Sequence, residues 1–553
     1  MKAAFHIAAL LAVLLTLSAR NGSAMSYSWH YHYTGANAQG ISSVAVDALD
    51  NIYVAGNFYG TTNFGGGNRT SAGGADIVVV KYDANGVWLW DKTYGDASDG
   101  QFANDIAVDA ANNVYISGGF DGSVNFGLGA LTSLGSRDLF LAKLNTSGTT
   151  LWAKRFGDAQ EQQPGGITLD LGSAVYFTGW YKGSPDFGGG PLTNNGLYDA
   201  FLVKLSSTGV HQWSKRFGDA GDQRGIAVAT DHWTNVYLGM DFTGTIDVGN
   251  GNVTSAGNFD IEVVQYGPTG NYQWSGRYGD AANQFVQAIE TQFADGYPYV
   301  TGSNAGVVDF GGGPITSAGG LDIFLAKFDC FGGHMWSKGF GDANDQSGLC
   351  LAVDTFGDVC LAGDNSGTVN FGGAPITSQG NQDIFLVKFT SLGALAWAHG
   401  YGDAQKYQIP GDLAVDIDGH LNMVGGFQGL VNFGGGALNG PDLDSFLVQF
   451  GPSPTDVHTP LRTDAALWSA PNPFNPVTVV HFDVAQRGHV RLDIFDARGA
   501  HVATLVDHDL HAGTFRATWN ATDKRGGAVS SGVYFARLST GSTQVSMKLV
   551  LLK

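Results

Sequence analysis

Tryptophan recurs through most of this chain at a nearly fixed interval. Trp29, Trp90, Trp152, Trp213, Trp274, Trp336 and Trp397 lie 61, 62, 61, 61, 62 and 61 residues apart. Four residues after each comes Tyr33, Tyr94, Phe156, Phe217, Tyr278, Phe340 or Tyr401; Gly-Asp-Ala follows six of these, and Tyr33 is followed by Thr-Gly-Ala. A repeat of this length, with several strand signals inside it and no helical pattern, restricts the chain to an all-β array of small sheets of the propeller type.

Each repeat carries four strand signals, clearest in the second: Asp105–Val108, Val114–Ser117, Asp138–Leu144 and Thr150–Phe156, named a to d. Their interiors are apolar on both parities, as in Leu139-Phe140-Leu141-Ala142, which predicts sheets buried on both faces between neighbours. Asp109-Ala-Ala-Asn-Asn113 turns a into b and Asn145-Thr-Ser-Gly148 turns c into d. The b-to-c connection repeats too, as in Val308-Asp-Phe-Gly-Gly-Gly-Pro-Ile-Thr-Ser317, and reads as an ordered loop. An Asp opens strand c in every repeat (Asp76, Asp138, Asp199, Asp260, Asp322, Asp383, Asp444) and is expected to accept from loop N–H groups. Lys follows five residues later at Lys81, Lys143, Lys204, Lys327 and Lys388, with Gln265 and Gln449 in the other two. A charge that recurs once per repeat is expected to be architectural.

The array begins with a lone d strand near Trp29 and ends with a, b and c between Asp412 and Phe450. The expected fold is all-β: a seven-bladed β-propeller over residues 25–450, with the N-terminal strand closing the last blade. Pro452, Pro454 and Pro460 mark residues 451–470 as a linker. Residues 471–553 alternate strands with Gly-rich turns and predict a small β-sandwich domain.

Composition narrows the partners. With 43% hydrophobic and 12% aromatic residues the 553-residue chain can bury such a core, and its 82 glycines show no triplet period, so they belong to turns rather than collagen. A formal charge of −20 and a pI near 4.9 argue against nucleic acid or anionic membrane surfaces as partners. Residues 1–24 read as a signal peptide: Lys2 precedes the apolar run Ala8 to Leu17, and Gly22 and Ala24 suit a cleavage site. No later stretch reaches the 18 apolar residues of a membrane span. Cys330, Cys350 and Cys360 are too few for a disulfide framework. Cys360 stands where other repeats have Tyr53, Tyr115 or Tyr237 and is expected as a buried apolar thiol, with a Cys350–Cys360 bridge left open.

Through Ile106-Ala-Val-Asp109, Asn113-Val-Tyr-Ile-Ser-Gly118, Asp138-Leu-Phe-Leu-Ala-Lys143 and Gly148-Thr-Thr-Leu-Trp152, the span from Trp29 to Phe450 resembles the bacterial seven-bladed β-propeller repeat family. That resemblance implies an exported scaffold without a common chemistry. Through Pro471-Asn-Pro-Phe-Asn-Pro476, Val490-Arg-Leu-Asp-Ile-Phe-Asp-Ala-Arg-Gly499, Trp519-Asn520 and Gly532-Val-Tyr-Phe535, the C-terminal segment resembles the type A sorting domain of the type IX secretion system. It is similar as well to the immunoglobulin-like domain of flagellar hook-capping proteins. Membership would imply passage across an outer membrane with the secretion machinery as partner, and a secreted or outer-surface location in a Gram-negative-type bacterium.

The chain carries no His-Glu-x-x-His, Cys-x-x-Cys or Gly-x-Ser-x-Gly, and its Gly-rich loops lead into strands rather than helices. Asp416-Ile-Asp418-Gly419 reads as a turn rather than a calcium loop, and His508 and His511 as a surface loop. No catalytic residue, cofactor or metal ligand is assigned. The preferred function is an exported binding or scaffold protein for a glycan or protein ligand, and the alternative is an extracellular hydrolase or lyase with a site assembled from several blades. The face bearing the Gly-Asp-Ala connections and the long b-to-c loops is expected to hold the ligand. On it the pattern breaks at Glu262, which replaces the Phe of strand c, at Gln265, and at Glu290 and Gln292 in the fifth a strand. Glu262, Glu290 and Gln292 are the candidate binding residues.

Overall fold

The computed structural model of the protein describes residues 25–35, 39–97, 100–292, 295–404, 406–451, 467–470, 474, 476–484, 488–510, 513–540 and 543–552. The expected signal peptide, residues 1–24, lies outside them, as do most of the expected linker and His511. All regular structure among the described residues is β, no helix there is long and apolar enough to cross a membrane, and no sheet closes on itself. The chain divides into two compact units, Met1–Thr455 and Asp456–Lys553.

Among its described residues the first unit holds seven four-stranded antiparallel sheets of blade type, each with its strands in the spatial order a-b-c-d. In the second sheet these are Phe102–Val108, Val114–Phe120, Asp138–Leu144 and Thr150–Phe156. Strands c and d run as expected. Strand a starts three residues earlier and b ends three later, because a β-bulge between Ala103 and Asp105 lets pairing continue past the residues that break the apolar pattern. A bulge sits at the matching place in all seven a strands, for example between Ile41 and Ser43 and between Pro410 and Asp412. The expected b-to-c loop is more ordered than its sequence indicated: in several repeats it folds into a small ribbon of its own, as in Ser123–Asn125 paired with Ala130–Thr132. The seventh sheet consists of Gln408–Val415, Leu421–Asn432, Ala437–Gly451 and the N-terminal strand Ser26–Tyr33, in register Trp29 to Gln449 and Tyr33 to Ser445.

The second unit packs a three-stranded and a four-stranded sheet around Trp519, Phe474, Phe482, Leu492, Ile494, Tyr534 and Leu549. Its first strand, Leu467–Ala470, lies inside the stretch read as linker. Pro452, Pro454 and Pro460 lie outside the described residues, and the apolar Leu467 pairs opposite Phe482 and so joins the sheet edge. His508 likewise falls in a strand, His501–Leu510, rather than a loop.

Apolar clusters fill the spaces between successive sheets of the first unit, and five of the repeated tryptophans clamp the outer edge of the space to the next sheet. The indole N–H of Trp90 donates to Thr146 O of the next sheet's c–d hairpin at 3.0 Å; Trp152 reaches Ser207 O, Trp213 Pro268 O, Trp274 Cys330 O and Trp336 Ser391 O at 3.1–3.3 Å. Each ring lies against the glycine of that hairpin. Gly148, at φ 76°, faces Trp90, where a side chain would collide with the indole and the backbone would be strained. Trp152 therefore holds the second sheet to the third, and Trp152→Ala should lower stability by roughly 3 kcal/mol, the cost of emptying a large aromatic site together with one hydrogen bond. Urea unfolding of the two proteins checks this; equal midpoints would contradict the clamp.

Candidate functional site

On the loop face the polar groups bond to one another. A glutamine opens or directly precedes strand a in all seven repeats (Gln39, Gln101, Gln162, Gln223, Gln284, Gln346, Gln408) and is buried in each. Gln162 Nε2 donates to Asp158 Oδ1 at 2.9 Å and to Lys182 O, while Asp158 N donates to Gln162 Oε1. The other carboxylate oxygen of Asp158 accepts from Ser184 N at 2.5 Å, tying the Gly-Asp-Ala turn to the following b-to-c connection. Gln223 with Asp219, Gln284 with Asp280 and Gln346 with Asp342 repeat the arrangement. The Asp that opens strand c accepts a loop N–H as expected, from Ala72 at Asp76 and from Ala256 at Asp260; Asp444 instead meets His32 Nε2 at 2.8 Å. The glutamine row carries the same 61–62 residue period as the tryptophans, and that period was the signal available for it.

At the opposite end, the a–b hairpin is a carboxylate-centred turn. Asp109 Oδ1 accepts from Ala111 N and Asn113 N, and its Oδ2 accepts from Asn113 Nδ2 and Tyr115 OH. The buried Lys143 Nζ lies 3.2 Å from the same carboxylate and 4.6 Å from the centre of the Tyr115 ring. The recurrent lysine is thus part of the architecture. Asp416 makes the same kind of turn, closed by Asp416 N to His420 O at 3.0 Å. The fourth and fifth sheets depart from it. Gln265 replaces the lysine and donates to Tyr237 OH at 2.6 Å, and Gln292 replaces the aspartate, accepting from Lys327 Nζ at 3.2 Å and donating to Asp295.

The a strands lie side by side, Gln408–Val415 next to Gln39–Val46, and bring acidic groups from different sheets together. Ser43 Oγ lies 2.8 Å from Asp105 Oδ1 and 2.7 Å from Asp412 Oδ2. A hydroxyl has one proton, so both contacts are satisfied only when one carboxyl is protonated. Burial raises both groups, and for Asp412 the charge of Asp105 raises it further. Their remaining bonds join neighbouring strands: Asp412 accepts from Val44 N and Leu413 N, and Asp105 from Ile106 N and Ile167 N. Glu290 stands half-buried in this region, at a position held by Ala45, Ala107, Thr168, Ala229, Ala352 and Ala414 in the other sheets. Burial, then the charges of Asp412 and Asp105, push it up to about 8.

Glu262 is not at a surface. It is 0% exposed within strand c of the fourth sheet, opposite Met240 and Arg277, and neither carboxylate oxygen has a hydrogen bond of ordinary geometry. Burial pushes it up to about 7, against the lowering influence of Ser275 and Arg277. The three candidate residues therefore sit in different surroundings: Glu262 inside a sheet stack, Glu290 among the inner strands, and Gln292 buried in a hairpin with both amide atoms bonded. None offers a free polar group on the loop face. Cys330, Cys350 and Cys360 are free thiols, the last two buried. Among the described residues no group of three or more His, Cys, Asp or Glu side chains could hold a metal ion.

An open cavity of about 240 Å³ does occur at the hairpin end, where the fourth sheet meets the fifth. Trp233 of the fourth a–b hairpin, Trp274 of the fourth d strand and Phe331 of the fifth c–d hairpin supply aromatic walls, and Asn235, Gln265 and Gln273 supply amides. Trp233 is 51% and Phe331 84% exposed. Neither was singled out from sequence, although the signal was present: Leu49, Ala111, Gly172, Phe356 and Asp418 occupy the place of Trp233 in other repeats, and Asn85, Ser147, Thr208, Thr269 and Leu392 that of Phe331. A second cavity, of about 330 Å³, lies in the C-terminal unit beside His501, Asp523, Arg525 and Tyr534.

No family model matches the chain. It is 24% identical over 426 residues to an uncharacterized WD repeat-containing protein of Acanthamoeba polyphaga mimivirus, covering 60% of this chain and 30% of that protein. It is 22% identical over 379 residues to the regulatory protein FlaEY of Caulobacter vibrioides, covering 63% and 38% respectively. The chain thus spans about a third of the length of these relatives. Among solved structures, PorZ, a surface component of the type-IX secretion system of Porphyromonas gingivalis, aligns at 14% identity and TM-score 0.27, over 96% of this chain and 75% of that one. The gluconolactonase XC5397 of Xanthomonas campestris aligns at 12% and 0.28, over 78% and 99%. The repeated four-stranded sheets define a β-propeller repeat protein.

Glu262 yields a pH prediction. Its folded-state value of about 7 exceeds the ordinary 4.5, so the folded state is favoured below pH 4.5 and loses stability as pH rises through 7. The loss is on the order of 3 kcal/mol, at about 1.4 kcal/mol per pH unit of displacement. Glu262→Gln should flatten this dependence between pH 5 and 8, and Glu262→Phe, which restores the repeat, should raise the melting temperature at pH 8. Parallel pH profiles for wild type and Glu262→Gln would show that the carboxyl is not buried in this way.

Proposed function

We propose that residues 25–450 form a closed seven-bladed propeller completed by the N-terminal strand, and that the protein is an exported cell-surface or secreted binding scaffold. Closure is supported by the pairing of Ser26–Tyr33 with Ala437–Gly451 and by bonds from the seventh sheet to the first: Ser445 Oγ donates to Gln39 O at 2.9 Å, and Tyr33 OH meets Tyr82 OH at 2.9 Å. Residues 1–24 serve as signal peptide, 451–470 as a connection whose last residues enter the second unit, and 471–553 as the sorting domain that engages the secretion machinery. The leader composition and the motifs of the C-terminal segment support export.

One observation favours binding over catalysis: Asp105, Asp412 and Glu262, all raised by burial, hold backbone or sit within a sheet, whereas Trp233, Gln265 and Phe331 depart from the repeat and meet at an open cavity. Asp105 and Asp412 each accept backbone N–H groups from their own and a neighbouring strand, leaving them poorly placed to exchange protons with a substrate. Incubating the full chain with immobilised polysaccharides and surface proteins should give retention without turnover. Release of new reducing ends or unsaturated sugars would identify a hydrolase or lyase instead. For closure, removal of residues 25–34 should lower the melting temperature of the first unit far more than removal of 456–553, since it strips a paired strand and the Trp29 and Tyr33 rings from the seam. Equal melting curves would rule out the strand as the seal.

A further inference from the structure

We propose that the cavity between Trp233, Trp274 and Phe331 is a saccharide-binding site that takes one neutral sugar ring. This deepens the binding reading above and rests on it. The chemistry of the walls selects the ligand. A pyranose presents a face of C–H groups and a rim of hydroxyls, so it is bound by an exposed aromatic face beside groups that both donate and accept hydrogen bonds. Trp233 and Phe331 leave large apolar surfaces in water at hairpin tips; Leu49, Phe356 and Leu392 do so singly in other repeats, but here the two aromatic rings line one cavity. Trp274 lines the cavity with them, its N–H committed to Cys330 O at 3.3 Å and its ring against Gly332. It turns its ring edge-on to Tyr237, 6.1 Å between centres.

The amides complete the site. Asn235 donates Nδ2 to Asp231 at 2.8 Å, and Gln265 donates Nε2 to Tyr237 OH. No hydrogen bond among the described residues uses the amide oxygens of Asn235 and Gln265, and Gln273 is exposed beside them. Gln265 decides the charge of the cavity. In five other sheets a lysine stands here and pairs with the hairpin aspartate or, in the fifth sheet, its glutamine replacement; in the fourth sheet the buried carboxylate of Asp231 is hydrogen-bonded by Asn235, Trp233 N and Tyr237 without a lysine, and none of the side chains lining the cavity is a cation or a carboxylate. An aromatic and amide-lined cavity with no cation in its wall suits a neutral polyol better than an anion. About 240 Å³ is below the ~300–1,000 Å³ of sites for drug-sized ligands, which fits a single ring with the rest of a glycan running out over Trp233 and Phe331.

The test is a titration of the full chain with the methyl glycosides of glucose, galactose, mannose and N-acetylglucosamine, followed by saturation-transfer NMR and tryptophan fluorescence, with choline chloride as a cationic comparison. At least one glycoside should bind. Trp233→Ala and Phe331→Ala should each weaken it by about tenfold or more, with melting temperatures unchanged because both side chains are exposed; Leu49→Ala in the matching turn of the first sheet should have no effect. Gln265→Lys should weaken binding too, by returning a cation to the wall. Absence of binding by every glycoside, equal affinity in both aromatic variants, or binding of choline alone would overturn the assignment. A chain that ignores these glycosides yet is retained without turnover on surface proteins would lose the sugar site and keep the binding reading. Polysaccharide turnover with glycoside binding intact would remove the binding reading alone.

Discussion

The clamp of an indole ring on the hairpin glycine of the next sheet sets the terms for the rest of the first unit. Each sheet is apolar on both faces, so its stability depends on a neighbour at a fixed distance on each side. Trp90, Trp152, Trp213, Trp274 and Trp336 set that distance by bonding to a backbone carbonyl in the adjacent c–d hairpin while stacking where only glycine fits. An inserted residue in the hairpin would move the carbonyl and the glycine together. The near-constant period in the sequence is the record of that geometric demand.

Polar groups follow the same logic of local satisfaction. Gln162 with Asp158, Asp138 with Arg155, and Asp109 with Lys143 and Tyr115 each answer one another within a repeat or across a single seam. Buried charges arranged this way have a partner within the same repeat or the next, so the array tolerates many of them. Glu262 is the exception, a carboxyl in a phenylalanine's place with no bond of its own, and the pH behaviour expected of it follows from that isolation. Ser43 between Asp105 and Asp412 shows a milder form of the same tension, since its single hydroxyl proton faces two carboxyls that burial raises.

The candidate site was less legible than the fold. Departures from a repeat can be read in one dimension, and Glu262, Gln265, Glu290 and Gln292 were visible that way. Their orientation could not be read so easily, because alternate strand residues enter different sheet-to-sheet spaces and a one-residue bulge resets the alternation in every a strand. Gln265 reaches the open cavity, while Glu262, three residues earlier on the same strand, is sealed within the fold. Trp233 and Phe331 lie 98 residues apart in sequence and become neighbours only because consecutive sheets place their hairpins at one end.

Sequence alone determined what depends on local chemistry repeated many times: the period, the four strands of each unit, the tight turns, the architectural carboxylates and lysines, and a separate β-rich C-terminal unit. These are encoded in short segments that fold the same way wherever they recur. Tertiary structure decided which side chains share a space. It turned the b-to-c loops into ribbons, spent the loop-face polar groups on one another, buried Glu262, and brought two hairpins from adjacent sheets together around an aromatic cavity. The physical reason is that packing distance and side-chain direction accumulate over a whole sheet stack, so they are properties of the assembled repeats rather than of any one of them.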